Sequence, residues 1–421
     1  MTKGNVIVIN ASELVTCSGF KAKKGSEMKD LGIIEKGAVV IEAGKIVAVG
    51  TSEEIEKKYD LSKYTVIDAK GKCVTPGFVD SHTHFIFGGY RADEYSWRLE
   101  GMPYMEIMNR GGGIINSVKG TREASVEELV ELGHKRLTSM LNFGVTTVEG
   151  KSGYGLDLET EIKQLEAMKI VNEKHPIDVV PTFMGAHAVP AEYKGRSGEF
   201  IDLIIDEMLP VVAEKKLAEF CDIFTEDKVF SIEESRKLLN KAKTYGFKLK
   251  MHADEIVPLG GAELAAEVGA VSADHLLQAS DKGIALMAEK DVVATALPCT
   301  AFSLKEDYAR ARDMIDAGCA VALATDFNPG SCFTESIPLV IALATLYMGM
   351  TAEETLMALT LNGAAAIDKA DIVGSIDIGK QGDLLIHEFP SYKFLPYHIA
   401  VSTVEAVVKN GEIVVNKAKM G

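Results

Sequence analysis

The chain has 421 residues, 47% of them hydrophobic, enough to bury a large core. Its 45 Lys and Arg against 61 Asp and Glu leave a formal charge of −16, which argues against nucleic acid and anionic membrane surfaces as partners. Six scattered cysteines without a CxxC pair fit a reduced, cytoplasmic setting, and no apolar run approaches the ~18 residues of a membrane span.

In chain order, the N-terminal stretch "MTKGNVIVINASELVT" lacks a signal-peptide core and reads as an alternating strand. "GAVVIEAGKIVAVG" adds two Val/Ile runs around Ala-Gly-Lys. Near the C-terminus, "GSIDIGKQGDLLIHE" continues this style, and "AVVKNGEIVV" places two runs around Asn410-Gly411, a strong hairpin signal. The two ends, 1–75 and 375–421, therefore predict one small β-sandwich domain, with residues 76–374 inserted between its halves.

The inserted region alternates strand and helix. Strands are predicted at Gly77–His84, Gly144–Lys151, Val179–His187, Glu219–Glu226, Lys248–Glu255, Val271–His275, Val292–Pro298 and Ala320–Asp326. Helix-period segments lie between them, including "LETEIKQLEAMKIVNEK", "FIDLIIDEMLPVVAEKK", "IEESRKLLNKAKTYG" and "DYARARDMIDAG". Eight such units predict an α/β fold, a TIM (β/α)8 barrel. An open doubly wound sheet is the alternative, disfavoured because no GxGxxG opens a helix after the first strand.

The polar residues fall at the ends of these strands. "TPGFVDSHTHFIFGG" puts His82 and His84 on one face at the end of strand one. Lys151 ends strand two, His187 strand three and Glu226 strand four. His252 lies near the end of strand five in "MHADE", with Glu255 three residues on; His275 ends strand six and Asp326 strand eight. In a barrel these ends share one rim, where such folds place their chemistry. Five of the nine histidines gathered there point to a metal rather than to core histidines.

The other four, His134, His175, His387 and His398, read as structural. His175 sits at a helix end where a partial positive charge would suit the dipole. Three imidazoles and one carboxylate, His82, His84, His252 and Asp326, suit one zinc ion, with iron the second choice. Such a metal lowers the pKa of a bound water to about 7. His275 and Asp326 are then candidates to orient that water or take its proton. Glu255 is the candidate to carry a proton to a leaving nitrogen.

With "PGFVDSHTH" after a short β segment, histidines on strands five and six and an aspartate on strand eight, the chain resembles the amidohydrolase superfamily. "HADE" is similar to its single-metal branch, and "CDIFTED" lacks the strand-four lysine of the two-metal branches. The segments "FGGYRADEYSWRLEG", "RGGGI", "TREAS", "GVTTVEGKSGYGLDLETE", "DVVPTFMGAHAVP", "GAVSADHL", "LATDFNPGS" and "LPYH" extend the resemblance to the imidazolonepropionases over residues 5–415.

That resemblance implies a small-molecule substrate, 4-imidazolone-5-propanoate, opened by water to N-formimino-L-glutamate in histidine breakdown. It implies His82, His84, His252 and Asp326 as metal ligands. It also implies substrate contacts from Arg91, Tyr154, His187 and Glu255, and a pocket lined by Asn328, Gly330 and Ser331. Arg91 would grip the propionate inside an acidic protein; the alternative is an ion pair with Asp93 or Glu94. Tyr154 would donate a hydrogen bond, with simple packing as its alternative, and His187 would polarise the carbonyl. A homodimer is the expected assembly.

Two positions depart from the expected pattern, Gly150 in place of a larger apolar residue and Cys332-Phe333 after "NPGS". The run of glycines at 111–113 fits either a flexible turn or a close backbone approach to a ligand. The rival readings are a deaminase on the same scaffold, a hydrolase of another cyclic amide, and a barrel that has lost its chemistry.

Overall fold

The computed structural model describes residues 4–102, 106, 110 and 112–417. One of its two eight-stranded sheets is a barrel of parallel strands in chain order: β1 (Phe78–Asp80), β2 (Val145–Lys151), β3 (Asp178–Ala186), β4 (Phe220–Thr225), β5 (Lys248–Ala253), β6 (Ser272–His275), β7 (Val293–Ala296) and β8 (Val321–Leu323). Most of their residues are buried on both faces, as parallel strands sheathed by helices must be.

The ring closes just beyond the ends of β8 and β1. Asp326 N donates to His82 O at 3.1 Å, and His84 N donates to Phe327 O at 2.8 Å. The buried Asp80 carboxylate accepts from Thr325 N at 3.0 Å and Thr325 Oγ1 at 2.7 Å. These bonds place the HxH segment beside the aspartate of strand eight.

All eight predicted strands form, but several are shorter than the sequence suggests. β1 stops at Asp80, so His82 and His84 follow it in a segment that pairs only through an isolated bridge, Thr83 with Phe327. β8 stops at Leu323, and Pro298 opens a helix instead of extending β7. Three rim residues, Asp254, His275 and Asp326, have left-handed backbones (φ 50°, 77° and 52°), which turn the chain sharply out of the ladder.

The helices start where short polar patterns dictate. Ser125 and Ser231 each form a capping box with the glutamate three residues later, opening helices Val126–Asn142 and Ile232–Thr244. Asp157 caps Leu158–Lys174. The segment 200–216 is not one uniform helix. A π-turn at Ile204–Met208 interrupts it just before Pro210, whose missing N–H cannot continue an α-helical ladder. "DYARARDMIDAG" keeps only Ala311–Asp316 as helix.

The other sheet joins both chain ends. Val6–Val15 pairs antiparallel with Ile33–Glu42, which pairs with Lys45–Thr51; Thr65–Asp68 and Val74–Pro76 run parallel to the first strand. Val74–Pro76 then pairs with Leu384–His387, followed by Val404–Lys409 and Glu412–Asn416. The sheet folds over itself, so that Val6, Val8, Val39 and Ile41 share one apolar cluster with Leu384, Ile386 and Val408. Asn410 and Gly411 both have positive φ (50° and 74°), as the predicted hairpin turn requires.

The charged reading of His175 does not hold. The ring is buried at the end of its helix, and Nδ1 accepts the N–H of Ile177 at 3.1 Å. Burial lowers its pKa to about 4, so it is a neutral cap. His387 is buried between the hydroxyls of Thr75 and Thr403. Among the described residues no helix is long and apolar enough to cross a membrane.

Candidate active site at the barrel rim

The five rim histidines converge. Ring centroids lie 4.5 Å apart for His82 and His252, 5.5 Å for His82 and His84, 5.4 Å for His82 and His275, and 4.8 Å for His84 and His187, which stack. Candidate ligand atoms of His82, His84 and Asp326 all lie within 4.8 Å of one another, and so do those of His82, His252 and His275. The two triplets share His82, and the ring of His252 lies 5.5 Å from that of His84, so His82, His84, His252 and Asp326 adjoin one another, without all four forming one such group, and His275 lies beside them.

Hydrogen bonding sets the tautomers of two of these rings. His82 Nδ1 lies 2.6 Å from Asp274 Oδ2, and His252 Nδ1 lies 3.1 Å from Asp222 Oδ1. A carboxylate only accepts, so each Nδ1 carries the hydrogen, and in the neutral ring each Nε2 presents a lone pair. Both Nε2 atoms are buried without a partner. Burial also holds His82, His84 and His275 well below the ordinary imidazole pKa. Neutral rings with orphaned lone pairs beside a carboxylate are the donor set a transition metal takes, and the residues present fit such an ion.

The acidic groups differ in character. Burial raises Asp326 to about 6; Thr300 Oγ1 donates to its Oδ2 at 2.6 Å, while its Oδ1 lies 3.5 Å from His82 Nε2 and 3.8 Å from His84 Nε2. Burial, then the charges of Asp326, Glu226 and Glu306, raise Glu255 to about 8. Its Oε1 lies 3.5 Å from His275 Nδ1. Glu226 is committed to the backbone instead. Its two oxygens accept the N–H groups of Asp227 and Ile256, each at 2.8 Å, and pin the loop after Glu255.

Tyr154 packs its ring 5.8 Å from His84 and 5.2 Å from His187. Its backbone is held by Gln164 Oε1 at 3.1 Å, while Glu161 takes the N–H groups of Gly153, Gly155 and Leu156 at 2.9–3.0 Å. His187 donates from Nδ1 to Gly153 O at 3.0 Å, and burial lowers its pKa to about 3. Its free Nε2 is therefore an acceptor, suited to a ligand N–H and unsuited to polarising a carbonyl.

For Arg91 both sequence readings occur together. Nε donates to Glu94 Oε2 at 2.9 Å, and Glu94 also accepts from Gly113 N and Asn116 Nδ2. Nη1 and Nη2 make no hydrogen bond to any described residue, and Arg91 lines a cavity of about 570 Å³ with Tyr90, Tyr95, Phe302, Ser331 and Phe333. Of the glycine run, Gly113 serves Glu94, and Gly111 lies outside the described residues.

Asn328 is spent on its own loop. Its amide nitrogen donates to Asp326 O and Ser331 Oγ, and its oxygen accepts from the backbone of Gly330 and Ser331, each at 2.8 Å. A Cβ on Gly330 would lie 2.0 Å from Arg91 Nη1, so only glycine lets the guanidinium lie against this loop.

Of the two departures, Gly150 has a local cause, since a Cβ there would lie 2.5 Å from Phe85 Cε1, on the segment that follows His84. Cys332 is buried with its thiol 3.2 Å from Thr325 O, and Phe333 is 57% exposed with its ring 5.1 Å from that of Phe327.

Sequence reasoning missed the charges beneath the rim. Lys151, noted only as a strand end, is fully buried and bonds Asp222 Oδ2 at 2.7 Å and Glu149 Oε1 at 2.8 Å. Lys250 lies 3.4 Å from Asp274 and bonds Ser272 Oγ at 2.7 Å. Burial alone would raise Asp222 and Asp274, but the ammonium groups hold both low: Lys151 first for Asp222, Lys250 and then Lys151 for Asp274. A signal existed in the ionisable residues at alternate positions near the ends of these strands, Glu149 with Lys151 and Lys250 with His252.

A closed parallel barrel with imidazoles and an aspartate on its C-terminal rim defines the amidohydrolase class, and the Amidohydrolase family matches residues 73–414. Solved structures of similar fold include an adenosine deaminase from Xanthomonas campestris with bound zinc (TM-score 0.66, 18% identity, 98% of this chain and 93% of that one) and the guanine deaminase of E. coli (0.69, 15%, 98% and 100%). At such identities they establish the fold alone.

The sequence relatives are narrower. A bacterial imidazolonepropionase-like composite domain matches residues 37–60. The imidazolonepropionase of Clostridium tetani is 63% identical over 99% of this chain and 100% of its own. That of Parabacteroides distasonis is 56% identical over 98% and 99%. The chain belongs to the imidazolonepropionase family.

Proposed function

We infer that the protein hydrolyses 4-imidazolone-5-propanoate to N-formimino-L-glutamate, with His82, His84, His252 and Asp326 holding one metal ion, zinc before iron. Near-full-length identity to imidazolonepropionases supports the reaction. The observation that carries the metal site is the pair of buried, unpartnered Nε2 atoms on His82 and His252, each with Nδ1 committed to a carboxylate. Three nitrogens and one carboxylate oxygen form a donor set suited to zinc.

A metal held there supplies a water acidic enough to attack a carbonyl at neutral pH. The protein's own groups do the rest. The water's oxygen bonds to the ring carbonyl carbon, the carbon–nitrogen bond breaks, and the departing nitrogen takes a proton. Glu255, raised to about 8, holds such a proton at neutral pH. Either His275, whose Nδ1 lies 3.5 Å from Glu255 Oε1, or Asp326 takes the single proton of the attacking water. Arg91 meets the propionate through Nη1 and Nη2 while Glu94 fixes its Nε. Tyr154 offers its hydroxyl, and His187 Nε2 accepts a ring N–H. Gly330 and Ser331 form the wall after β8, held by Asn328.

The direct test is incubation with 4-imidazolone-5-propanoate. Its ultraviolet absorbance should fall as N-formimino-L-glutamate appears by mass spectrometry. Release of ammonia from an aminopurine, without ring opening, would favour a deaminase instead. The assembly expected is a homodimer, and six free, buried cysteines support a reducing, cytoplasmic setting.

Two variants probe the propionate seat. Arg91→Lys keeps the charge but loses the fork, so binding should weaken by about 1.5–3 kcal/mol, or about 10- to 100-fold, with metal content unchanged. An unchanged KM would leave Arg91 as only the partner of Glu94. Gly330→Ala should push the guanidinium aside and raise KM about tenfold, the effect of losing about 1.4 kcal/mol from one charge-assisted bond. Its melting temperature should barely move, because the clash falls on the far end of a flexible side chain. A KM equal to wild type would show that Arg91 does not act from this position.

A further inference from the structure

Two of the imidazoles on the rim are each oriented by a carboxylate, and the two carboxylates are not independent. Lys151 Nζ lies 2.7 Å from Asp222 Oδ2 and 3.7 Å from Asp274 Oδ2. Asp222 bonds His252 through its other oxygen, and Asp274 bonds His82. One ammonium therefore stands behind both histidines, and all five side chains are buried.

Lys151 also reaches this segment through its backbone. Its N–H donates to Thr83 O at 2.9 Å, between His82 and His84, and Thr83 Oγ1 donates to Glu149 O at 2.6 Å. Lys250 is the natural comparison. It lies 3.4 Å from Asp274 and bonds Ser272 Oγ, Ser81 O and Ala366 O, but has no contact with Asp222.

We propose that Lys151 is the positioning residue of the metal centre, a single cation that ties Asp222 and Asp274 together and so sets His252 and His82 as one unit. Lys151 touches neither substrate nor metal. Its effect reaches the ion through the tautomer and ring orientation of two ligands, the route by which outer partners commonly govern metal affinity. The inference rests on the metal reading above and goes beyond it by naming what holds the ligands in place.

Electrostatics and positioning predict opposite signs, which makes the idea testable. Removing a buried ammonium near a cation site would, by charge alone, strengthen cation binding. Removing the tie between two orienting carboxylates weakens it. The measurement is the affinity of the metal-stripped protein for zinc, by competition with a chromophoric chelator, with the electronic spectrum of the cobalt-loaded protein reporting the ligand geometry. Lys151→Met should lower zinc affinity about 10- to 100-fold and alter the cobalt bands.

Leaving three carboxylates around one ammonium threatens folding, so Lys151→Met combined with Glu149→Gln is the second variant. It removes one positive and one negative charge together, and the glutamine still offers an oxygen to Thr182 Oγ1. Its affinity should fall in the same range. Lys250→Met, whose ammonium lies 3.4 Å from Asp274 and 3.9 Å from Glu149 but is not paired with Asp222, should lose less.

Unchanged or tighter zinc binding in either Lys151 variant overturns the proposal, and so does an equal loss from Lys250→Met, which would show a general effect of buried charge. A wild-type protein that takes up neither zinc nor cobalt fails earlier, at the metal reading itself, and is distinguished by that.

Discussion

Dialysis against a strong chelator should abolish turnover, and zinc or iron added back should restore it. The same dependence should appear in His252→Ala, which removes one of four proposed ligands. That variant should stay folded, because Asp222 keeps Lys151 as its partner at 2.7 Å and so is not left as an unpaired buried charge. Metal content, measured on purified protein, should fall with activity. Because the chemistry needs water activated at neutral pH, loss of the ion removes the nucleophile and leaves only the binding groups. Full activity in a metal-free sample would overturn the mechanism.

The second large effect belongs to Glu255. Glu255→Gln keeps the shape and removes the proton, so kcat should fall about 10²- to 10⁴-fold, with metal content and fold unchanged. The pH profile supplies an independent signature. An acid must be protonated to act, and burial has raised this carboxyl to about 8. Activity carried by Glu255 is therefore present below that pH and lost as pH rises through it; the glutamine variant should lack this alkaline limb. His275→Asn should behave similarly if His275 handles the water's proton, since its Nδ1 lies 3.5 Å from Glu255 Oε1. If Glu255→Gln retains kcat within about threefold, well short of the loss expected for an acid, proton delivery passes to His275 or Asp326.

Arg91 shows how a choice posed by sequence can be a false one. Read along the chain, an arginine followed by acidic residues is either a surface pair or an anion grip. In the fold Glu94 takes only Nε, and the other two nitrogens make no hydrogen bond to a described residue, so the ion pair orients the residue without consuming it. His187 shows the reverse case. A histidine at a strand end was legible as a site residue, but whether it donates or accepts depends on the carbonyl of Gly153, which occupies Nδ1.

The sequence by itself determined what depends on short-range order. The β-rich apolar runs placed His82, His84, His187, His252, His275 and Asp326 at or just past the ends of successive strands, and parallel strands in succession put all their C-terminal ends on one rim. Helix periodicity marked Leu158–Lys174 and Ile232–Thr244, because that pattern is local to each segment. Tertiary structure alone decided the charge states and the orientations. His82 meets Asp274 across 192 residues and Lys151 meets Asp222 across 71, separations at which no spacing rule operates. Burial then set the protonation, keeping His175 neutral at a helix end where local rules favour a cation, and leaving Glu255 protonated where a solvated carboxyl would be ionised. Both follow from the low dielectric of an interior that exists only once the strands have closed.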